Sequence, residues 1–302
     1  MQKCSVKILT VLYHNEKAGL LRSLRSIASA LLHDQENARL VSECIVAWGD
    51  ASEQALFSAE EVEEIRSELP GGLKLEYQFF AENTGTARGQ NRLAENSSSD
   101  YLMIMNPDLL FSQRLFSLLL KPFLEGDGKV GIVEARQTPL EHPKVFDEFS
   151  GETSWAAGAC FMTPALLYQE LGGLDESAFF LYCDDVDYSW RARLTGKQVL
   201  YQASAPVFHP KRITKEAKWV ATKAEKYYTE EALLMMAYKW GHVNRWKRML
   251  GSFERSTDEN KQKAAQNFKQ RMSKGTLPQQ IAQKNDLYYC RYGTYTQHRF
   301  DL

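Results

Sequence analysis

The stretch over residues 73–108 decides the fold. It reads LKLEYQFF at 73–80, NTGTARGQN at 83–91, YLMIM at 101–105 and NPD at 106–108. The first and third segments have the length and apolar content of strands, and the pattern between them predicts a short helix. A strand, a helix and a second strand in this order are typical of a parallel sheet.

The same alternation extends along the chain in both directions. Further strands are predicted at 6–13, 40–48 and 130–133, and helical patterns separate them from their neighbours. We therefore predict an α/β fold over residues 1–212, with a mainly parallel sheet covered by helices on both faces. From Thr214 the pattern is helical, so residues 213–302 are predicted to form a helical, basic C-terminal extension.

Polar residues cluster where the predicted strands end. The clusters are His14 and Asn15, Asp50, residues 83–91 and residues 106–108. Each cluster alone is a weak signal, because Asn, Asp and Gly are also common turn residues. Ligands of parallel sheets bind beyond the carboxyl ends of the strands, so the coincidence of all four indicates a ligand site.

A second informative stretch reads FFLYCDDVDYSWR at 179–191. The apolar run at 179–182 predicts a buried strand or extended segment, and a helix is predicted after it. Val186 and Trp190 are four residues apart, which gives that helix one apolar face. The stretch is therefore expected to carry polar chemistry beside a hydrophobic wall.

Three carboxylates follow that apolar run. Asp187 is four residues from Arg191 and can pair with it along the helix surface. Asp184 and Asp185 would stand at the helix N-terminus. There a carboxylate can cap free N–H groups, or it can serve as a general base or a metal ligand. The sequence leaves both interpretations open for this pair.

Composition is typical of a globular protein. The chain has 302 residues, enough for one large domain or two, and 44% of them are hydrophobic. No apolar run approaches the roughly 18 residues of a membrane span, and the N-terminus lacks the pattern of a signal peptide. The five cysteines are scattered without metal-type spacing, which indicates reduced thiols. We expect a cytoplasmic protein.

The charge is unevenly distributed. From His242 on, twelve Lys and Arg face five Asp and Glu, so this tail carries +7 and the rest carries −8. An acidic body with a basic tail suggests an anionic partner. Large apolar residues are interspersed over 245–274, so the tail is predicted to lie on an anionic membrane face, or to pack on the body or on a second subunit. A nucleic-acid role ranks low, because no recognised binding motif is present.

Taken together, the motifs resemble those of a family 2 glycosyltransferase of the GT-A fold, of the bacterial polysaccharide-assembly kind. The resemblance covers residues 6–209. It rests on six motifs in order: Asn83-Thr84-Gly85 with Gly89 and Asn91; Asn106-Pro107-Asp108; Gly158-Ala159; GGLDE at 172–176; the acidic run at 179–187; and His209. Six motifs in the right order are far more specific than any one of them.

The resemblance implies a cofactor and a base. Asp108 would hold Mg²⁺ or Mn²⁺ against the diphosphate of a nucleotide-diphosphate sugar, with Asn106 in place of the family's first Asp. His209 stands where some members complete the metal shell. Asp185, with Asp184 as the close alternative, stands where a carboxylate takes the proton of the acceptor hydroxyl in an inverting reaction.

The resemblance also implies substrate contacts. Donor-binding positions are Tyr13, Asn15, Asp50, Asn83, Gly85, Arg88, Asn91, Asn106, Asp108 and Gly158; acceptor-binding positions are Trp155 and Glu176. Likeness to rhamnosyltransferases, including Tyr227, Tyr228 and Lys239, favours dTDP-rhamnose, with UDP-sugars left open. The expected acceptor is a glycan or lipid-linked glycan at the inner membrane face, in the synthesis of a cell-surface polysaccharide such as O-antigen.

Two other classes of function stay open. A nucleotidyltransferase of similar fold would normally carry a Gly-rich, basic loop after the first strand, where residues 13–17 read YHNEK. A non-catalytic module for nucleotide sugars or glycans would have lost activity, and the intact Asp184, Asp185 and Asp108 argue against that loss. For Trp155, a place in the core is the alternative to sugar contact.

Overall fold

The computed structural model describes residues 3–141, 144–210 and 222–281. The strands are β1 Cys4–Leu12, β2 Val41–Asp50, β3 Leu73–Phe79, β4 Tyr101–Met105, β5 Leu110–Phe111, β6 Val130–Thr138, β7 Cys160–Pro164 and β8 Gln198–Phe208. The helices are α1 Lys17–Glu36, α2 Ala59–Ser67, α3 Gly85–Ala94, α4 Leu115–Glu125, α5 Ala165–Glu170, α6 Asp184–Leu194, α7 Lys223–Lys239, α8 Val243–Glu254 and α9 Glu259–Ser273.

All of these strands form one sheet in the order β3-β2-β1-β4-β7-β6-β8-β5. β3, β2, β1 and β4 are parallel neighbours, whereas β7 is antiparallel to both β4 and β6. β6 is parallel to β8, and the short β5 pairs antiparallel with β8. The predicted α/β fold with C-terminal helices is confirmed. Its sheet is mixed, because an irregular connection rather than a crossover helix leads from β6 into β7 within the described residues.

The sheet has an apolar core on each face. Ile8 of β1 belongs to the core under α1, α2 and α4, and the next residue, Leu9, belongs to the core under α3, α5 and α6. Successive side chains of a strand point to opposite faces, so one strand serves both cores. On α1 the buried residues Leu20, Leu24, Ile27 and Leu31 recur at helical spacing, as the sequence predicts.

A third apolar core joins the C-terminal helices to α6 and the loop before it. It contains Trp190 of α6 and Phe179 together with Trp240, Phe253 and Phe268 of the helices α7 to α9. The predicted boundary between residues 212 and 213 and the predicted start at Thr214 lie outside the described residues, so the division into two parts stays a prediction. None of the described helices is long and apolar enough to cross a membrane.

The segment over residues 179–182 is not a strand. It is a series of bends, and Tyr182 and Cys183 both adopt left-handed conformations, with φ of 69° and 61°. Non-glycine residues rarely occupy this region, and consecutive ones are found where the surrounding structure holds them in place. Phe179 and Cys183 are buried as expected, whereas Phe180, Leu181 and Tyr182 are only partly buried. The irregular backbone turns sharply so that α6 begins at Asp184.

Candidate active site

Neighbouring parallel strands end at the same edge of the sheet. Leu12 at the end of β1 is in register with Asp50 at the end of β2, which is in register with Phe79 at the end of β3. β4 lies on the other side of β1 and leads into residues 106–108. The polar clusters predicted from the sequence therefore lie along one edge, where such sheets bind ligands.

The turn after β1 presents Tyr13 at the surface of this edge. Its backbone N–H donates to Oδ1 of Asn15 at 2.8 Å, and its hydroxyl donates to Glu53 at 3.3 Å. His14 lies between them in a left-handed conformation, with Nε2 at 2.8 Å from the Glu53 carboxylate. Asn15 thus shapes the turn, and the Tyr13 ring remains 44% exposed to meet a ligand.

Asp50 is fully buried and organises the loop after β2. Its carboxylate accepts hydrogen bonds from Ser52 N at 3.1 Å, Leu56 N at 2.6 Å and the Tyr77 hydroxyl at 2.5 Å. Burial and the bond to Asp50 raise the pKa of Tyr77 to about 12, so this hydroxyl stays a donor. A donor-binding role for Asp50 stays a prediction, and in this geometry it acts through the loop that Asp50 shapes.

The segment at the start of α3 is fastened to the acidic stretch. Asn83 Oδ1 accepts from Gly85 N at 3.2 Å, and Gly85 has a φ of 67°. A Cβ at Gly85 would lie 2.3 Å from the carbonyl oxygen of Phe180, so this approach requires glycine. Thr86 N donates to the same carbonyl at 2.9 Å, and the Thr86 hydroxyl donates to Asp184 at 3.1 Å.

Two other predicted donor residues in α3 are engaged in contacts with the protein. Arg88 pairs with Glu82 at 3.2 Å on the surface. Asn91 accepts from Leu174 N at 2.9 Å, and donates to Leu174 O at 2.8 Å and to Glu176 at 3.0 Å. Asn91 therefore anchors the loop that carries Glu176. Substrate contact by Arg88, Asn91 and Glu176 stays a prediction.

Asp108 and His209 are brought together although they are far apart in sequence. Nε2 of His209 lies 3.4 Å from Oδ1 of Asp108, and Nδ1 lies 3.0 Å from Oε1 of Gln137. If Nδ1 donates to that amide oxygen, Nε2 would have its lone pair available for a metal ion. The His209 ring is buried, whereas 43% of the Asp108 side chain is exposed.

This pair fits a divalent cation that a substrate helps to hold. Within the described ranges, no group of three or more His, Cys, Asp or Glu side chains is arranged to hold a metal ion. One carboxylate oxygen and one imidazole nitrogen, completed by phosphate oxygens and water, are an ordinary ligand set for Mg²⁺ or Mn²⁺. Asp108 and His209 are the residues that would hold it.

Asp184 and Asp185 open α6 as a closely coupled pair. Asp184 is buried, and burial followed by the charge of Asp185 raises its pKa to about 7. Asp185 accepts from Gly158 N at 2.6 Å through Oδ2 and from Val186 N at 2.8 Å through Oδ1. Burial also raises the pKa of Asp185, and these two N–H donors oppose the rise because they favour the carboxylate.

A short backbone bridge connects the two acidic positions. Gly158 N donates to Asp185, and the next residue, Ala159, accepts from Asn106 N at 2.9 Å. Asn106 precedes Asp108 by two residues. A Cβ at Gly158 would lie 3.3 Å from the Asp185 carboxylate, so the glycine allows this close approach. The geometry therefore places one restrained carboxylate, Asp185, and one half-exposed carboxylate, Asp108, at the two ends of one site.

No pattern in the sequence indicates the buried ion pair that lies beside Asp185. Lys144 Nζ lies 2.9 Å from Glu134, and both side chains are almost fully buried. The ammonium also donates to Trp155 O at 2.8 Å and lies 3.5 Å from the centre of the Trp155 ring. Lys144 counters the rise in the pKa of Asp185. Trp155 is buried under it, and its contact with an acceptor stays a prediction.

A second buried network holds α6 from behind. Asp187 pairs with Arg191 at 2.7 Å, as its spacing predicts, and it also accepts from Lys239 at 2.7 Å and Trp240 Nε1 at 3.1 Å. Lys239 Nζ bridges onward to Asp175 at 2.6 Å. Helix α6 is therefore held against the end of α7, a contact that no local sequence pattern could reveal.

Comparison with known proteins gives two kinds of match. Residues 9–142 match the family model described as "Glycosyl transferase family 2". Among curated proteins, none matches the chain significantly. Among solved structures, GalNAc-T7 with UDP, GalNAc and Mn²⁺ aligns with a TM-score of 0.59 at 12% identity, covering 90% of this chain and 55% of its own.

Two further structures align over most of both chains. The mannosyltransferase PcManGT from Pyrobaculum calidifontis, in complex with GDP-Man and Mn²⁺, has a TM-score of 0.56 at 14% identity, covering 91% of this chain and 82% of its own. TarS from S. aureus with UDP has a TM-score of 0.53 at 11% identity, covering 89% and 72%. At these identities the alignments establish the shared fold. The chain spans little more than half of the GalNAc-T7 chain.

Proposed function

We propose that the chain is a member of glycosyl transferase family 2, whose model matches residues 9–142, and that it is an inverting glycosyltransferase. It would move a sugar from a nucleotide-diphosphate sugar to a hydroxyl group of a glycan or lipid-linked acceptor. The observation that carries this proposal is the Asp184–Asp185 pair, joined to the Asp108 end by the bridge through Gly158 and Ala159. In-line transfer needs a base on one side of the sugar and stabilisation of the leaving diphosphate on the other.

The proposed base is Asp185. The acceptor oxygen attacks the anomeric carbon while the bond to the diphosphate oxygen breaks, and the hydroxyl proton passes to Asp185. Attack opposite the leaving group inverts the configuration. Gly158 N and Val186 N orient the carboxylate for this step. The N–H donors at Gly158 and Val186 favour the carboxylate form of Asp185, whereas burial and the charge of Asp185 raise the pKa of Asp184 to about 7.

At the other end, Asp108 and His209 would bind Mg²⁺ or Mn²⁺ together with the donor. A bound cation neutralises charge on the leaving diphosphate. The protein's own contribution is to fix the two ligands: Gln137 sets the tautomer of His209, and Asp108 stays accessible at the strand end. Gln137 was not foreseen from the sequence, because its contact with His209 depends on the pairing of β6 with β8.

The donor is proposed to be dTDP-rhamnose or a UDP-sugar, used in the synthesis of a cell-surface polysaccharide. The aligned structures contain UDP or GDP-Man, which supports a nucleoside diphosphate as the shared part of the donor. Nucleotide recognition would come from the edge formed by Tyr13, the Asp50 loop and the start of α3. Each of these presents backbone or side-chain polar groups beyond a strand end.

A donor panel tests the proposal. The melting temperature of the full chain is measured with dTDP-rhamnose, UDP-glucose, UDP-N-acetylglucosamine and GDP-mannose, each with and without Mn²⁺, and release of the nucleoside diphosphate is then assayed. One donor should raise the melting temperature most and should be turned over. A panel without any shift contradicts the proposal. Binding without turnover in the presence of glycan acceptors would indicate a non-catalytic module.

The same panel tests the metal position. Asp108→Ala should abolish turnover and remove the Mn²⁺-dependent part of the donor shift, while the fold stays intact. Asp127→Ala provides the matched control, because Asp127 is an exposed aspartate in the turn before β6, where it pairs with Lys129. Unchanged Mn²⁺ dependence in Asp108→Ala would remove Asp108 from the role.

We also propose that the protein works in the cytoplasm on the inner membrane face. The large apolar residues Phe253 and Phe268 of α8 and α9 are buried in the protein, whereas Lys247, Arg248 and Lys274 are exposed. Membrane attraction would therefore be electrostatic. In liposome flotation, anionic vesicles should carry the protein and neutral ones should not, and Lys247→Ala with Arg248→Ala should weaken the effect. Equal flotation with both lipids would leave packing within the protein or against a second subunit as the tail's role.

A further inference from the structure

A pocket of about 340 Å³ opens between the loop before α6 and the helices α7 and α9. Its walls include Phe180, Tyr227, Tyr228, Glu231, Lys263 and Asn267. This volume lies at the lower end of the range for small-molecule sites. The pocket contains none of the residues assigned above to the base, the metal or the nucleotide, so it calls for a separate explanation.

One wall of the pocket is aromatic and fixed in place. The rings of Phe180 and Tyr228 stack at 4.7 Å with an interplanar angle of 23°, and Tyr227 meets Tyr228 edge-on at 4.9 Å. Lys263 Nζ lies 4.4 Å from the centre of the Tyr227 ring. Flat aromatic faces pack well against the C–H faces of pyranose rings, and here they are supplied by three side chains that brace one another.

The polar residues of the lining lie beside these rings, and their charges balance. Glu231 accepts hydrogen bonds from the Tyr227 hydroxyl at 2.8 Å and from the Asn267 amide. The carboxylates of Glu176 and Glu231 are matched by the cations of Lys263 and Arg271. A pocket without net charge offers no preference for a phosphate or a nucleotide. It offers donors and acceptors side by side, which is what the hydroxyl groups of a neutral sugar require.

The pocket lies beside the base. The carbonyl of Phe180 accepts from Thr86 N at 2.9 Å, and the Thr86 hydroxyl donates to Asp184 at 3.1 Å. On the other side, the Tyr182 hydroxyl bonds to Glu225 in the first turn of α7, and the charge of Asp185 contributes to the raised pKa of Tyr182. One residue, Thr86, therefore separates the pocket wall at Phe180 from Asp184.

We propose that this pocket binds a neutral sugar unit of the acceptor, next to the unit whose hydroxyl is glycosylated. The inference rests on the proposed function, because only an acceptor glycan places a second sugar beside the base. It assigns to α7 and α9 a share in acceptor selection. An acceptor extended by a sugar that fits this pocket would then be held at two points, which fixes the reacting hydroxyl against Asp185.

The test is direct binding, so it does not depend on turnover. Saturation-transfer NMR is recorded on the full chain with methyl glycosides of glucose, galactose, N-acetylglucosamine and rhamnose, and with disaccharides of the same sugars. At least one of these neutral probes should bind, and UDP or dTDP with Mn²⁺ should not displace it. Displacement by the nucleotide would place the probe in the donor site and overturn the inference, as would the absence of binding by every probe.

Three variants locate the binding. Lys263→Ala removes an exposed cation of the pocket and should lower the affinity for the probe by about three- to tenfold, the usual effect of losing one polar contact. Tyr228→Ala removes a stacking face and should weaken it at least as much. Lys269 lies on the same helix and pairs with Glu254 outside the pocket, so Lys269→Ala should leave the affinity for the probe unchanged. Equal affinity in Lys263→Ala and wild type overturns the assignment even if Tyr228→Ala fails to fold.

Failure of the pocket inference can be distinguished from failure of the proposed function. If the nucleotide-sugar panel shows no donor, the proposed function fails, whatever the glycosides do. If a donor is found but no neutral glycoside binds at Lys263 and Tyr228, the enzyme stands and the pocket is unrelated to the acceptor. Preferential binding of a charged probe, such as a methyl glucuronoside, would equally contradict a pocket built for neutral sugars.

Discussion

The two ends of the active site are built differently. Asp184 and Asp185 are restrained by Thr86, Gly158 and Val186, so the acceptor end is in place without any ligand. Asp108 is 43% exposed, and His209 at 3.4 Å is its ion-pair partner in the described part of the chain. The difference is physically sensible. A base must be oriented before the reaction by the protein itself, whereas the donor diphosphate can complete the other end when it arrives.

The largest expected effect is at the restrained end. Asp185→Asn keeps the shape of the side chain but cannot take a proton, so turnover should fall by about 10²–10⁴-fold, the usual contribution of general-base catalysis. Donor affinity, which depends on the Asp108 end, should change little. Steady-state kinetics with saturating donor, together with donor titration, measures both quantities.

Asp184→Asn is the matched control for that experiment. Asp184 accepts a hydrogen bond from the Thr86 hydroxyl and lacks the two backbone N–H donors that orient Asp185, so its replacement should cost less turnover than Asp185→Asn. An active Asp185→Asn with an inactive Asp184→Asn would move the base back by one residue. Full activity in both variants would contradict the proposed mechanism and the contrast between the two ends.

Next in size is the loss of support behind α6. Lys239 is buried between Asp187 and Asp175, and Lys239→Met leaves both carboxylates without their shared cation. Removing one partner of a buried ion network typically costs about 3–5 kcal/mol, so the free energy of unfolding should fall by roughly that amount. Urea denaturation measures it. Lys274→Met, at an exposed lysine after α9, should change it by less than about 0.5 kcal/mol.

A small effect of Lys239→Met would mean that the contact between α7 and α6 contributes little to the stability of the fold. The distinction matters for the comparison between the two ends, because the network through Asp187 is what fixes the far side of α6. If stability falls while the remaining folded protein keeps its turnover, the network supports the fold without tuning the base.

The sequence predicts those features of the fold and the site that follow from local patterns of residues. The positions of the strand ends follow from the alternation of strands and helices. The placement of Asp50 and of residues 106–108 at one edge of the sheet could therefore be predicted. The Asp187–Arg191 pair follows from helical spacing alone. What local patterns could not reveal are contacts made by distant segments: Lys144 with Glu134, and Lys239 with Asp187. A single sequence does not indicate which buried lysine pairs with which carboxylate.

The apolar run at 179–182 shows a different limit. Its burial was predicted from large apolar residues, and this holds for Phe179 and Cys183 but only in part for residues 180–182. Its backbone was not, because Tyr182 and Cys183 adopt left-handed conformations that their side chains do not favour. Contacts such as that between the Phe180 carbonyl and Thr86 N hold the strained turn, and these come from α3, about ninety residues earlier.

A smaller effect is expected at the exposed end. Gln137→Leu removes the amide oxygen that holds Nδ1 of His209 while keeping the volume of the side chain. Loss of such an orienting contact typically costs about 10–100-fold in metal affinity, so Mn²⁺ binding in the presence of donor nucleotide should weaken by that factor. Isothermal titration calorimetry measures it. Unaltered Mn²⁺ affinity would mean that His209 plays no part in binding the metal.

The smallest expected effect distinguishes the two aspartates through pH. Burial and the charge of Asp185 raise the pKa of Asp184 from 3.8 to about 7. Between these values the folded protein holds a proton that the unfolded chain has released. The stability contributed by this group is therefore complete below pH 3.8 and is lost as the pH rises through about 7, with a slope of at most about 1.4 kcal/mol per pH unit.

Asp184→Asn has no such proton, so its free energy of unfolding should fall less steeply than that of the wild type between pH 5 and pH 8. The comparison must be made between variant and wild type, because the pKa of Glu134 is also raised to about 7 by burial and adds a slope of the same sign to both proteins. Urea denaturation at half-unit intervals of pH measures the difference. Identical slopes would show that Asp184 is ionised throughout this range. The folded site would then hold two charges side by side, and the reason for choosing Asp185 over Asp184 as the base would be lost.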